Sequence, residues 1–415
     1  MDNFTLIQFQ YESRGVPLGA LYLASGLEKE NLKFDLKIYP FYKNGYDLDK
    51  LYSFLSDSSD IVAIGCWSDL LPYVIGALDK LKKRFPKKII ILGGVGPTEV
   101  AEEIIAKFNF VNFIIKGCGV GVLPKLIKRI QAGSHRLNDI DGLVYKQNNH
   151  IVSNYYKGFY LNIPDTPAYQ RIDNIWRYNN FPIFTSFGCP YLCTFCDSRP
   201  VSPKKVIYRD LNSVVEEIKL IFVINKKRVF EFCKLLRSQM PNITWDCYGR
   251  VGLIDEELLS TMSKSGCKSI YYGVESGSNV ILKKIKKGFT IEEAIKTLFL
   301  SKKYIKSVVA SFIYLFPFET PADFYHTKIL SYYLKSKGIY TQLHALTPAN
   351  QSEVYFNYKK DLFLSKKINS SCRSTLNAMP KACIKLIRKY PDIFYYYYNY
   401  NSGYLPKIIK MVKSP

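Results

Sequence analysis

Acidic residues are scarce in this 415-residue chain: 35 Asp and Glu stand against 58 Lys and Arg, giving a formal net charge of +23. Histidine is scarcer still, at four residues. Long hydrophobic runs are missing. Stretches such as IIILGG from Ile89 are strand-length and fall short of the ~18 apolar residues a membrane helix needs. The opening MDNFTLIQFQYESRG has no basic segment followed by an apolar one, so no secretory leader is expected and the chain reads as cytoplasmic. Disulfides are rare in that compartment, which leaves the ten cysteines as thiols or metal ligands. No short-period repeat and no low-complexity linker is found. With 47% hydrophobic and 22% charged residues, disorder by composition is excluded, and the length suits two or three domains.

The cationic excess has two readings. One is a solvated, lysine-rich surface; the other is an anionic partner. It is concentrated near the end, where residues 366–415 hold ten Lys or Arg and one acid, Asp392, beside Tyr395, Tyr396, Tyr397, Tyr398 and Tyr400. Basic residues among aromatics suit RNA. They equally suit a helical cap with snorkelling lysines.

The chain divides by pattern. Residues 1–135 alternate apolar strands (4–9, 34–39, 61–66, 89–92, 111–115) with amphipathic helices (17–28, 71–84, 100–107), which predicts a Rossmann-like, doubly wound parallel sheet. Glycines follow the apolar runs, at Gly65, Gly93, Gly94, Gly117, Gly119 and Gly121. Those are the strand carboxyl ends, where open α/β sheets bind ligands. Residues 136–180 read as a hairpin, turning at Gln147-Asn148-Asn149, and a linker. Residues 181–364 repeat the βα pattern, with strands expected at 183–186, 221–224, 243–247, 269–273, 308–314 and 340–346. Six such units predict a partial (βα)6 TIM-like barrel with function at the strand carboxyl ends. Residues 365–415 form the basic, Tyr-rich extension, expected to be helical.

The sharpest local signal is FTSFGCPYLCTFCDSRP, which places Cys189, Cys193 and Cys196 in a C-x3-C-x2-C spacing just after a strand. Three thiolates on one loop can reach a single metal centre. They leave a coordination position open, whereas structural centres close all of theirs. Zinc would want a fourth Cys or His close by, and His135, His150, His326 and His344 are all distant in sequence.

Cys189-x3-Cys193-x-Phe195-Cys196 resembles the signature of the radical S-adenosylmethionine superfamily. Gly273-Val274-Glu275-Ser276-Gly277-Ser278 is similar to that family's ribose-contacting motif. Pro317-Phe318-Glu319-Thr320 resembles its fifth-strand turn, with Leu315 and Phe318 standing where glycines are usual. Residues 343–352, LHALTPANQS, are similar to the sixth strand and its exit. The resemblance covers about 180 residues. It implies a [4Fe–4S] cluster on the three cysteines and S-adenosylmethionine on the fourth iron. Reductive cleavage would then give a 5′-deoxyadenosyl radical. It also implies Phe195 against the adenine, Gly273, Glu275 and Ser276 at the S-adenosylmethionine pocket, and an electron donor such as flavodoxin or ferredoxin.

The first domain resembles the cobalamin-binding domain that precedes many such cores. Pro17-Leu18-Gly19, the strand Asp60–Gly65 with Ser68 beyond it, Leu92-Gly93-Gly94 and the IDGLVY exit all match. The resemblance implies cobalamin contacts at Ser68, Gly93, Gly94 and Gly117. Two departures stand against it: Gly117-Cys118-Gly119-Val120-Gly121 lacks the usual acids, and no Asp-x-His-x-x-Gly motif supplies an axial histidine. In the barrel, helix 211–220 is expected to run straight into strand 221–224, about 10–15 residues short of the usual unit. Arg250 at a strand end is the expected carboxylate clamp, or else a structural residue.

The expected function is cobalamin-dependent C-methylation of a peptide or small molecule. Radical rearrangement or cyclisation is one alternative. RNA methylthiolation is another, against which the first domain offers only Cys66 and Cys118, so nucleic acid is not the expected partner. A degenerate, non-catalytic protein is the non-enzyme alternative.

Overall fold

The structure is a computed structural model and describes residues 4–11, 15–156, 166–172, 178, 182–196, 206–211, 214, 220–222, 226–365 and 376–413. It divides into two units. The first comprises residues 1–181, 197–203 and 374–397; the second comprises 182–196, 204–373 and 398–415.

The first unit is built on a seven-stranded sheet in the order β2-β1-β3-β4-β5-β6-β7. Its strands are β1 (Phe4–Phe9), β2 (Phe34–Tyr39), β3 (Ile61–Gly65), β4 (Ile89–Gly93), β5 (Phe113–Ile115), β6 (Leu143–Gln147) and β7 (His150–Ser153). The first five run parallel, as strands linked by helical crossovers must. β3 and β4 are apolar runs buried along nearly their whole length, as parallel strands inside an α/β unit are. β6 and β7 add antiparallel, and a two-residue turn at Asn148 (φ 49°) and Asn149 (φ 62°) closes their hairpin. Asparagine tolerates the left-handed conformation that a turn of matching twist demands. Helix Leu71–Arg84 starts with proline in its first turn and ends on Lys82, Lys83 and Arg84, where cations oppose the negative end of the dipole.

Part of the C-terminal segment returns to this unit. Helix Lys381–Lys389 buries Cys383 and Ile387. It packs on helix Leu71–Arg84, where Gly76 leaves room: a Cβ there would lie 3.5 Å from the Cys383 sulfur.

The second unit carries five parallel strands in sequential order, β10 (Leu220–Phe222), β11 (Trp245–Gly249), β12 (Cys267–Glu275), β13 (Ser307–Tyr314) and β14 (Tyr340–Ala345). Helices Glu256–Lys264, Ile291–Tyr304 and Pro321–Ser336 intervene, the last two begun by capping boxes at Thr290 and Thr320. Their apolar residues, such as Met262, Leu298 and Leu334, pack on Ile270, Tyr272, Val308 and Phe312 of one sheet face. The alternate residues of β11 to β14 lie on the other face and stay largely half-buried or exposed.

One expectation is corrected. Residues 183–186 are not the first parallel strand of this sheet. Two residues only, β8 (Ser186–Phe187), are extended, and they pair antiparallel with β9 (Ile207–Tyr208). The pair is fastened by Arg209, whose N–H donates to Thr185 O and whose guanidinium donates to Phe184 O. The described parallel sheet therefore has five strands. The direct joint expected between helix 211–220 and its strand falls on residues 212–213, 215–219 and 223–225, outside the described residues.

Candidate cofactor site

The cysteine loop begins where β8 ends, at Gly188, whose φ of 94° turns the chain in a way L side chains resist. Cys189 is exposed, and Cys193 and Cys196 are half-buried. The loop is pinned at its middle. Thr194 N–H donates to Ile285 O at 3.3 Å, and Thr194 O accepts from Val354 N–H at 3.0 Å. Phe195 packs against a buried cluster that includes Ile281, Leu282 and Ile285, with its ring 6.1 Å from that of Phe316 in an edge-on contact.

Beside the loop lies a pair not singled out from sequence. Lys287 Nζ is 2.9 Å from Glu275 Oε1, with both side chains about nine-tenths buried. Lys287 also stands 5.8 Å from the Phe195 ring. Glu275 closes β12 at a register shift and has φ of 72°, so its carboxylate folds back over its own strand. That fold explains Gly273: a Cβ there would come within 2.4 Å of Glu275 Oε1. Arg250 donates to Lys287 O and lays its guanidinium 3.5 Å over the Tyr191 ring. It is thus a strut between the loop and the strand ends. Lys287 was invisible in sequence because it closes the run Lys283-Lys284-Ile285-Lys286-Lys287, which looks like a solvated face.

Ser276 lies apart from this cluster's polar contacts. It is fully buried, its hydroxyl sharing a hydrogen bond with Thr327 Oγ1 at 3.2 Å and accepting from Ser278 N–H at 3.1 Å. Gly277 allows the close approach of helix Pro321–Ser336, whose backbone would meet a Cβ at 2.7 Å. Glu319, fully buried, accepts from Leu315 N–H through Oε2 at 2.6 Å, and its Oε1 has no hydrogen-bond partner among the described residues. Burial pushes the Glu319 carboxyl from 4.5 up to about 8. Leu315 takes φ of 69°, at a position where the sequence departs from an expected glycine.

Among the described residues, no three His, Cys, Asp or Glu side chains are gathered as a ready metal site. The cysteines share a loop without converging. Their donor set nonetheless fits an iron–sulfur cluster: three soft thiols within eight residues, on a loop held by backbone bonds.

In the first unit, the four residues expected at a corrin divide. At Gly93 a Cβ would meet only Ile115 O, at 3.8 Å, an ordinary contact. Ser68 is half-buried beside Trp67, which is 52% exposed past the end of β3 and presents a flat apolar surface. This part of the strand end fits a flat ligand. Gly94 (φ 93°) instead packs on the Cys66 backbone, 2.7 Å from a Cβ, and Gly117 (φ 72°) is covered by the Tyr156 ring at 2.2 Å. The Tyr-rich segment also belongs to the interior. Tyr395 donates to Glu99 and Tyr397 to Asp69 O, both tyrosines at most 3% exposed. Asp69 also accepts from Tyr11 at 2.8 Å, and burial raises its carboxyl. Tyr395 and Tyr397 are therefore packing residues of the first unit, not an RNA-stacking surface.

Residues 224–328 match the family model of the Radical SAM superfamily, a match that does not reach the cysteine loop. An uncharacterized methyltransferase of Pyrococcus horikoshii is 27% identical over 342 residues, 74% of this chain and 71% of the relative. A putative methylthiotransferase of Methanocaldococcus jannaschii is 30% identical over 300 residues, covering 65% of this chain and 64% of the relative, less than two thirds of its length. Among solved structures, the chain is similar to the radical S-adenosylmethionine methyltransferase TsrM of Kitasatospora setae with cobalamin and a [4Fe–4S] cluster bound. The TM-score is 0.68 at 16% identity, over 86% of this chain and 78% of that one.

Proposed function

We propose, proceeding from this chain's membership of the radical S-adenosylmethionine superfamily, that it is a radical enzyme that methylates carbon. Cys189, Cys193 and Cys196 would hold a [4Fe–4S] cluster. When bound, such a cluster would supply the electron for reductive cleavage of S-adenosylmethionine into methionine and a 5′-deoxyadenosyl group able to take a hydrogen atom from the substrate. Cobalamin, held past β3 and β4 near Trp67, Ser68 and Gly93, would supply the methyl group.

The observation that carries this reading is the seating of the cysteine loop. Phe195, between the second and third thiols, packs beside the Lys287–Glu275 pair at the end of β12. The chain's own residues then have definite tasks. Phe195 and Phe316 exclude water from one side of the loop. Glu275, fixed by Lys287, presents a carboxylate to ribose hydroxyls, and Gly273 leaves room for it. Arg250 holds Tyr191, and with it the first half of the loop.

Methylthiolation is the second reading, favoured by the 30% identity to a putative methylthiotransferase. The cysteines of the first unit argue against a second cluster there. Cys66 and Cys383 are fully buried, and among the described residues no three Cys, His, Asp or Glu side chains are gathered there.

Anaerobic reconstitution followed by mass spectrometry tests the proposal. Formation of both 5′-deoxyadenosine and S-adenosylhomocysteine supports methyl transfer; 5′-deoxyadenosine alone would move the reading to rearrangement. Equal uptake of iron and sulfide by the Cys189→Ala/Cys193→Ala/Cys196→Ala variant would remove the cluster assignment.

A further inference from the structure

Helix Pro321–Ser336 of the second unit turns an aromatic crest to solvent. Its inner side is ordinary: Phe324, Thr327, Leu330 and Leu334 are buried. Its outer side is not. Ala322, Tyr325, Ile329, Tyr332, Tyr333 and Ser336 are all exposed, and their three- and four-residue spacing puts them on one face. Tyr325, Ile329, Tyr332 and Tyr333 are each 45–53% exposed. Single apolar side chains at a surface are commonplace, but four large ones on successive turns of one helix mark a contact surface. Of the exposed residues of this helix only Lys335 carries a fixed charge, and protonation of His326 would add a second of the same sign.

The rim of the crest is cationic. Lys328 Nζ donates to Met411 O at 2.9 Å and ties helix Leu405–Lys413 alongside. Lys328 and Lys335 stand 5.6 and 5.8 Å from the centre of the Tyr332 ring, and Lys337 stands 5.8 Å from that of Tyr333. On helix Ile291–Tyr304, Phe299 meets Tyr333 edge-on at 6.0 Å, and the exposed Lys296 and Lys303 share its face. Helix Leu405–Lys413 exposes Lys407 and Lys410. The acids of these three helices are Glu292, Glu293 and Asp323, all in first turns. Glu293 and Asp323 close capping boxes, and Glu292 accepts from Asn279 at 3.2 Å. The later turns carry lysine and no acid.

An aromatic crest rimmed by lysine has a definite complement. A second copy of the chain would set lysine against lysine. A folded acidic protein would answer the charge, but a single convex ridge gives it no cleft to fill. An anionic bilayer surface answers both parts at once, because tyrosine rings settle at the headgroup level while lysine stems extend to the lipid phosphates. The net charge of +23 draws the chain toward such a surface. Among the described residues no helix is long and apolar enough to cross a membrane, so the contact is one of surface lying on surface.

We infer that helix Pro321–Ser336 is a docking face for an anionic lipid bilayer, with Tyr325, Ile329 and Tyr332 entering the headgroup layer and the flanking lysines pairing with lipid phosphate and carboxylate groups. The inference goes beyond the proposed function and does not depend on it, since it concerns the outer side of the helix layer and not the cysteine loop or the strand ends.

Cosedimentation of the full chain with phosphatidylcholine vesicles, and with mixed phosphatidylcholine–phosphatidylserine vesicles, tests it. The mixed vesicles should bind about tenfold more tightly or better. A chain of this charge would adhere to them weakly by charge alone, so the deciding variant keeps the charge. Tyr325→Gln/Ile329→Gln/Tyr332→Gln places a good helix former at three exposed positions. It should lose about tenfold in affinity for the mixed vesicles, with Tm and far-UV circular dichroism unchanged. Tyr325→Trp should add an emission that shifts to the blue on those vesicles and is quenched by brominated lipid. Equal vesicle binding by the triple variant would overturn the inference, because net charge alone would then account for it. Crest-dependent binding to polyglutamate but not to vesicles would overturn it in favour of an acidic protein. Crest-dependent self-association in sedimentation velocity, without lipid binding, would overturn it in favour of a second copy.

Discussion

Lys287 holds Glu275 at 2.9 Å, and the same ammonium stands 5.8 Å from Phe195, so one cation joins the end of β12 to the cysteine loop. Both partners are buried. Such a pair adds little net stability, but removing one member leaves a desolvated charge.

Lys287→Met should therefore cost about 3–5 kcal/mol by thermal or denaturant unfolding, and Glu275→Gln should cost less because it leaves an ammonium able to reach Phe195. The double variant Lys287→Met/Glu275→Gln should recover most of the loss. Strict additivity of the two single effects would show that the pair does not act as a unit.

Glu319 predicts a pH dependence of definite sign. Its carboxyl is raised from 4.5 to about 8 by burial, so the folded chain keeps a proton that the unfolded chain releases. The stability tied to the neutral acid is complete below 4.5 and is lost as pH rises through about 8. Glu319→Gln lacks this dependence. The Tm of the variant relative to the unsubstituted chain should rise between about pH 5 and pH 8 and then level off. A constant difference across that window would mean that the carboxyl is not held neutral.

How much of this was legible in sequence depended on whether local pattern was enough. β1, β2 and the helix Leu71–Arg84 were found to the residue, because apolar period and helix-end chemistry act locally. The Asn148-Asn149 turn was legible for the same reason. Leu315 was flagged as standing in place of a glycine, and it does adopt the left-handed conformation a glycine would take at less cost. Lys287 was not legible. Its partner lies beyond a turn, and no spacing along the chain announces that contact. The roles of Gly94 and Gly117 were likewise hidden: glycine next to a ligand and glycine next to a tyrosine look the same in sequence.

Gly117 gives the last prediction. Its φ is 72°, and a Cβ would enter the Tyr156 ring at 2.2 Å. Gly117→Ala should lower stability by about 1–2 kcal/mol for the left-handed backbone alone, with a further loss from displacing the ring. Tyr156→Ala removes the clash and leaves the backbone cost. Gly117→Ala in that background should then be milder than in the unsubstituted chain, and the difference is the coupling between the two residues. A coupling near zero by denaturant unfolding would mean that Tyr156 does not rest on Gly117 in solution.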